Sequence, residues 1–180
     1  MDSFEINKIV AAVLLVALLI IGISKDADLV INLQGDEPLM KSDDIKNLNH
    51  KMIMSQSKIG TLASNFLNKD LYENQNVVKV KTSESLQVSN FPEAINFMRN
   101  SKHSDENIYH HLGIYCYDIE TLKNYVSIKQ SSNEIKSKLE QLRALDNNIK
   151  INVAQAKSSP IGLDTMEDYV AIKKIMEYKS

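Results

Sequence analysis

The chain has 180 residues, 43% of them hydrophobic and 24% charged, enough for one ordinary domain and too few for two comfortable ones. Its 21 basic and 23 acidic side chains nearly cancel, and only Arg99 and Arg143 are arginines, so it lacks a basic footprint for nucleic acid. A single cysteine, Cys116, excludes a disulfide framework and a zinc site built on paired thiolates. The five glycines stand alone, at Gly22, Gly35, Gly60, Gly113 and Gly162. That spacing excludes a glycine-rich loop that wraps phosphates in backbone N–H groups.

Ile9 to Ile23 is fifteen uninterrupted apolar residues, flanked by Lys8 and by Ser24-Lys25-Asp26. As a helix the run reaches roughly 22 Å, short of the roughly 30 Å hydrocarbon core. Phe4, Ile6 and the stem of Lys8 lengthen it toward the lower limit for a crossing. With no polar face, residues 1–24 read as a membrane anchor or uncleaved signal, in contact with lipid through residues 9–23, rather than a buried core helix.

From residue 25 the composition is that of an α/β domain. Asp28–Gln34 is a short apolar run closed by Gly35-Asp36-Glu37-Pro38, hence a buried strand. Ser42 can cap a helix carrying Ile45, Leu48 and Met52 on one stripe. Strands follow near Lys58–Ser64 and Val77–Lys81, and the polar stretch Ser83–Glu106 reads as a loop. Tyr109–Tyr117 is rich in aromatic and β-branched residues and predicts another strand. Ser131-Ser-Asn-Glu134 is a capping box before a helix whose Ile135, Leu139 and Leu142 share a face. Ile149–Ala154 alternates as a strand, and Thr165-Met-Glu-Asp168 opens a last helix with Val170, Ile172 and Ile175. Strands alternating with helices predict a mostly parallel sheet with flanking helices, preceded by one apolar N-terminal helix.

Two acidic positions fall at junctions. Asp36, with Glu37, directly follows the first strand, and Asp164 follows Gly162-Leu163 before a helix. Ligands of open α/β sheets collect beyond the carboxyl ends of strands, where Mg²⁺ can take a few carboxylate oxygens. The ordinary alternatives are a turn residue for Asp36 and a helix N-cap for Asp164. On the Tyr109–Tyr117 strand, alternation turns His111, Gly113 and Tyr115 one way and His110, Leu112, Ile114 and Cys116 the other. Two polar rings separated by a glycine make a shallow floor suited to a sugar. Adjacent histidines on opposite faces make a poor metal site, and Cys116 reads as a packed, inert thiol.

Five blocks, in order, carry a resemblance. They are Val30-Ile-Asn-Leu-Gln-Gly-Asp-Glu-Pro38, Asn74-Gln-Asn-Val-Val-Lys-Val80, His111-Leu-Gly-Ile-Tyr115, Leu139-Glu-Gln-Leu-Arg143 and Gly162-Leu-Asp-Thr165. Together the region from Asp26 onward resembles the 3-deoxy-manno-octulosonate cytidylyltransferases, or CMP-Kdo synthetases, of lipopolysaccharide biosynthesis. The resemblance implies a partial Rossmann-like nucleotide-diphospho-sugar transferase fold over residues 25–180. It implies attack by the anomeric hydroxyl of Kdo on the α-phosphorus of CTP, with Mg²⁺ required. It also implies Asp36 and Asp164 as Mg²⁺ carboxylates with a catalytic role, Gln34, His111, Tyr115, Glu140 and Gln141 lining the sugar site, and a homodimer.

The resemblance has gaps. The family's N-terminal Pro-Ala-Arg…Ser-x-Arg-Leu-Pro-Gly-Lys segment, which holds the CTP phosphates, has no counterpart here. Gln75 replaces the proline of the family's Asn-Pro-Asn turn. Ser89-Asn-Phe-Pro92 stands where Tyr-Phe-Ser-Arg is usual, leaving Arg99 the one basic candidate in that stretch. The first nine residues resemble the start of membrane-anchored c-type cytochromes of α-proteobacteria, without the Cys-x-x-Cys-His haem pattern. Two readings follow: a membrane-anchored CMP-Kdo synthetase with its domain in the cytoplasm, or a non-catalytic tethered remnant that lacks CTP binding.

Overall fold

The computed structural model describes residues 3–34, 37–101, 106–160, 162 and 166–177, with side chains described from residue 14 onward except Asp168. β5 (Ile108–Asp118) organises the sheet. Its eleven residues are mostly aromatic or branched, which suits a pleated and largely buried surface. β2 (Ile59–Ser64) runs antiparallel along one edge of β5, with Thr61 opposite Tyr115. The other edge of β5 is shared. β1 (Leu29–Leu33) pairs with residues 114–118 and β3 (Lys79–Thr82) with residues 108–110, both antiparallel. β6 (Ile151–Gln155) lies parallel to β2, and β4 (Ala94–Met98) lies antiparallel to β3. The order is β4-β3-β5-β2-β6, with β1 beside β5.

The sheet is therefore mixed, not mostly parallel as strand–helix alternation suggested. β1, β2, β3 and β6 run the same way, but β5 inserts between them in the opposite sense, and the β2–β6 pair is the one parallel pair among the described strands. Hydrophobic periodicity reports which face is buried and is silent on direction. The stretch Ser83–Glu106, expected as loop, contains β4. At the sheet edge β4 leaves Ile95 and Asn96 exposed and meets β3 through a register shift, so the strand has little alternation to read.

β5 divides the core by parity. Tyr109, Tyr115 and Tyr117 join Val80, Phe97, Leu122, Tyr125 and Leu142 on one face, whereas Leu112, Ile114 and Cys116 join Leu48, Met52, Leu62 and Ala154 on the other. α2 (Ser42–Ser55) supplies Leu48 and Met52 at the predicted spacing. Lys41, not Ser42, stands at its N-cap, without a side-chain cap bond. α4 (Ile119–Ser127) supplies Leu122 and Tyr125, and Asp118 caps it by accepting from Thr121 N at 2.9 Å. α3 (Lys69–Glu73) is a single exposed turn capped by Asn68. α7 (Met166–Glu177) buries Ile172 and leaves Val170 exposed. Cys116 is buried, and burial pushes its thiol up to about 12, so it is inert as expected.

α1 (Ser3–Ser24) covers the segment expected as an anchor, and its described side chains, from residue 14 onward, pack in part on the domain. Leu15 is buried in the core of the domain, and Leu18 and Leu19 pack against it. A Cβ at Gly22 would stand 2.8 Å from Val30 Cγ2 and 2.9 Å from Ile119 Cδ1, so only glycine admits this approach to β1 and α4. Leu15, Leu18, Leu19 and Gly22 form an i, i+3, i+4, i+7 stripe, while Leu14, Ile20, Ile21 and Ile23 on the outer side are exposed. Among the described residues no helix is long and apolar enough to cross a membrane.

Candidate functional site

β1 ends at Leu33, opposite Ile114, and β3 begins at Lys79, opposite His110. Between them residues 111–113 of β5 face a gap in the sheet. Buried backbone groups must be paired, and here loops do it. His111 N donates to Val78 O at 3.0 Å, Gln34 N to Gly113 O at 3.2 Å, and Gly113 N to the Glu37 carboxylate at 3.1 Å. Glu37, buried at 8% exposure, thus completes a ladder that β1 has left.

Gly113 lets Gln34 in. A Cβ there would lie 2.6 Å from Gln34 Oε1 and 3.4 Å from Glu37 Cγ. His111, Gly113 and Tyr115 share one face of β5 as predicted, so the Gln34 amide sits on the face of the two rings. The clashing atom ends a flexible side chain and can swing away. Gly113→Ala is therefore expected to change stability by less than about 1 kcal/mol while moving the Gln34 amide off this face. Urea unfolding and the Gln34 side-chain amide resonances measure the two effects.

His111 and Tyr115 are both buried, with ring centroids 5.4 Å apart, and Phe97 meets the imidazole edge-on at 5.1 Å. His111 Nε2 lies 2.9 Å from Thr61 Oγ1, and that hydroxyl donates to Ile114 O at 2.7 Å. Burial, helped by neighbouring His110, holds the His111 pKa down to about 3. His110, on the opposite face, stacks on Phe66 at 5.9 Å. Burial first, then the Lys79 ammonium, brings its pKa down to about 4. Both imidazoles are neutral at pH 7.

Beyond Tyr115 the same face continues as an aromatic ladder. Tyr115–Tyr117 and Tyr117–Tyr125 centroids are 6.0 and 5.9 Å apart, and the Arg143 guanidinium lies 5.0 Å over the Tyr125 ring. The predicted capping box is complete, with Glu134 N donating to Ser131 Oγ and Ser131 N donating to the Glu134 carboxylate. The helix it opens stops early. α5 (Ser132–Ser137) ends in left-handed Lys138 at φ 55°, and α6 (Leu142–Asp146) starts afresh, so Ile135 is exposed while Leu139 and Leu142 are buried. Glu140 and Gln141 consequently sit in the connection, not in a helix. Tyr125 Oη donates to Glu140 O at 2.9 Å, and burial together with the Glu140 charge raises the Tyr117 pKa.

Under this connection Arg143 grips Glu134, with Nε at 2.8 Å and Nη2 at 2.5 Å from its two oxygens. Burial works to raise the Glu134 pKa, but bonds from Arg143, Gln130 and Ser131 outweigh it and hold the carboxyl below its usual range. The ladder of Tyr117, Tyr125, Arg143 and Glu134 is the part of the site that sequence reading missed. The capping box alone pointed to Glu134.

The other candidates are placed as follows. Asp36 and Asp164 lie outside the described residues. Among the described residues, α2 is tied to the segment that follows β6. Asp44, buried near the start of α2, accepts from Lys157 N at 2.9 Å, Ser158 N at 3.3 Å and Ser158 Oγ at 2.5 Å. Glu37 and Asp44 are thus engaged with backbone, and among the described residues no group of three His, Cys, Asp or Glu could hold a metal. Arg99 donates to Gln75 O and Asn76 O at 3.3 and 3.0 Å, so it braces the Asn74–Asn76 turn. Lys79 is fully buried with its ammonium donating to Asn74 O, Val77 O and Arg99 O.

A family model described as cytidylyltransferase matches residues 10–151. The 3-deoxy-manno-octulosonate cytidylyltransferase of Thermodesulfovibrio yellowstonii is 39% identical over 157 residues, covering 84% of this chain and 62% of the relative. That of Bartonella tribocorum is 37% identical over 148 residues, covering 82% and 60%. The chain thus spans about three fifths of the length of these relatives. A solved structure titled as CMP:2-keto-3-deoxy-manno-octonic acid synthetase complexed with CTP superposes with a TM-score of 0.78 at 25% identity, covering 92% of this chain and 68% of that one. An apo UDP-glucose pyrophosphorylase, at TM-score 0.60 and 15% identity over 88% and 57% of the two chains, shares the fold. With the matched region running from α1 to the start of β6, the chain belongs to the cytidylyltransferase family.

Proposed function

We propose that the chain transfers CMP from CTP to 3-deoxy-D-manno-octulosonate (Kdo), giving CMP-Kdo and diphosphate for lipopolysaccharide biosynthesis. The observation that carries this reading is the β5 face, where His111 and Tyr115 lie side by side beneath the Gln34 amide. Relatives that match over these residues bear the name of that reaction. Gln34, His111, Tyr115, Glu140 and Gln141 would hold the sugar, turning its anomeric hydroxyl toward the α-phosphorus of CTP. Two neutral rings and two amides suit a polyhydroxylated ligand, since they offer hydrogen bonds without taking a buried charge from the protein. Asp36 and Asp164 are the proposed Mg²⁺ carboxylates, the ion supplying neutralisation of charge on the transferring phosphoryl group. Dependence on CTP assigns the work to the cytoplasm.

The test is diphosphate release by the purified chain supplied with CTP, Kdo and Mg²⁺. Turnover is expected, and Asp164→Ala is expected to abolish it. A cooperatively folded sample that binds no CTP and releases no diphosphate would refute the proposal.

A further inference from the structure

Thr61 is fully buried on β2, beside the one irregularity in its pairing with β5. Thr61 lies opposite Tyr115, but the next residue, Leu62, lies opposite Leu112, so Gly113 and Ile114 bulge out of the β2 ladder. The Ile114 carbonyl takes the Thr61 hydroxyl instead, at 2.7 Å. A carbonyl only accepts, and a threonine hydroxyl has one proton. That proton is committed to Ile114. The 2.9 Å contact between Thr61 Oγ1 and His111 Nε2 is then a hydrogen bond only if the imidazole carries its proton on Nε2. A neutral ring has one N–H, so Nδ1 keeps its lone pair.

We propose that Thr61 is a positioning residue that locks His111 in the Nε2–H tautomer, so that the site offers a ligand an Nδ1 acceptor. This rests on the sugar-site reading above and gives it a polarity. An acceptor pairs with a hydroxyl of the sugar and repels its carboxylate, so His111 reads the polyol part of Kdo and the acid group lies elsewhere. Selectivity built this way is strong, because a buried acceptor facing another acceptor leaves both unpaired.

The experiment uses ¹⁵N-histidine-labelled protein and long-range ¹H–¹⁵N spectra, with Kdo titrations on the same samples. The wild-type chain is expected to show His111 as the Nε2–H tautomer. Thr61→Val, which keeps the branched shape, is expected to lose that signature and bind Kdo at least tenfold more weakly. Thr61→Ser is expected to restore both. A wild-type His111 in the Nδ1–H form overturns the proposal, as does an unchanged signature in Thr61→Val. A changed tautomer with unchanged Kdo affinity overturns the acceptor role. Absence of Kdo binding by the wild-type chain overturns the sugar-site reading and the ligand half of the proposal, while the spectra still decide the tautomer.

Discussion

Arg143→Met is expected to lower the unfolding free energy by about 3–5 kcal/mol, the cost of leaving a buried carboxylate without its cation. The side chains of Glu134 and Arg143 are 3% and 14% exposed, and the guanidinium reaches both carboxylate oxygens. Removing it leaves Glu134 with donors from Gln130 and Ser131, too few for a charge held away from water. The double variant Glu134→Gln, Arg143→Met should recover part of the loss, because an amide needs no counter-ion. Urea unfolding of the four forms yields the coupling. The effect should also reach function. Arg143 packs on Tyr125, and the Tyr125 hydroxyl holds the Glu140 carbonyl, so the single variant loosens the connection carrying Glu140 and Gln141.

Acid is expected to destabilise the fold well above the carboxylate range. His110 and His111 have pKa values of about 4 and about 3 in the folded chain against 6.5 in a solvated one. Below pH 6.5 the unfolded chain takes up protons that the folded chain refuses, so stability falls as pH falls, until the folded state itself protonates near pH 4 to 3. Two such groups predict a loss of about 2–4 kcal/mol between pH 7 and pH 5, at up to about 1.4 kcal/mol per pH unit and proton. Glu134, whose folded pKa is depressed, adds to the loss at lower pH still. Urea midpoints across this range measure the slope, and His110→Gln should roughly halve it. A flat profile from pH 7 to 5 would mean that the imidazoles are protonated in the folded state.

Much of the site could be read from spacing. Strand alternation put His111, Gly113 and Tyr115 on one face of β5, and the turn residues after β1 put Gln34 and Glu37 at a strand end. What was not readable depends on contacts between distant residues. Thr61 and His111 are fifty positions apart and meet through a bulge that leaves no mark on hydrophobic alternation. The capping box at Ser131 was legible, but the left-handed turn at Lys138 was not, because nothing at Lys138 signals it. That turn folds Arg143 back onto Glu134 and lifts Glu140 out of a helix. The packing of the apolar segment was not readable for a different reason. When every residue from Ile9 to Ile23 is apolar, the buried stripe of Leu15, Leu18, Leu19 and Gly22 cannot be told from the exposed remainder. The domain selects the stripe, and the family match begins at residue 10, inside the segment read as an anchor.

A sugar site formed by β5 and the α5–α6 connection is open to calorimetric titration of Kdo in the presence of Mg²⁺. Saturable one-site binding is expected, weakened roughly threefold to tenfold by Gln34→Ala or by Gln141→Ala, the loss of about one hydrogen bond each. The exposed-site variant Lys46→Ala should bind as the parent does. No saturable heat from a cooperatively folded sample, or equal affinity in all these forms, would contradict it.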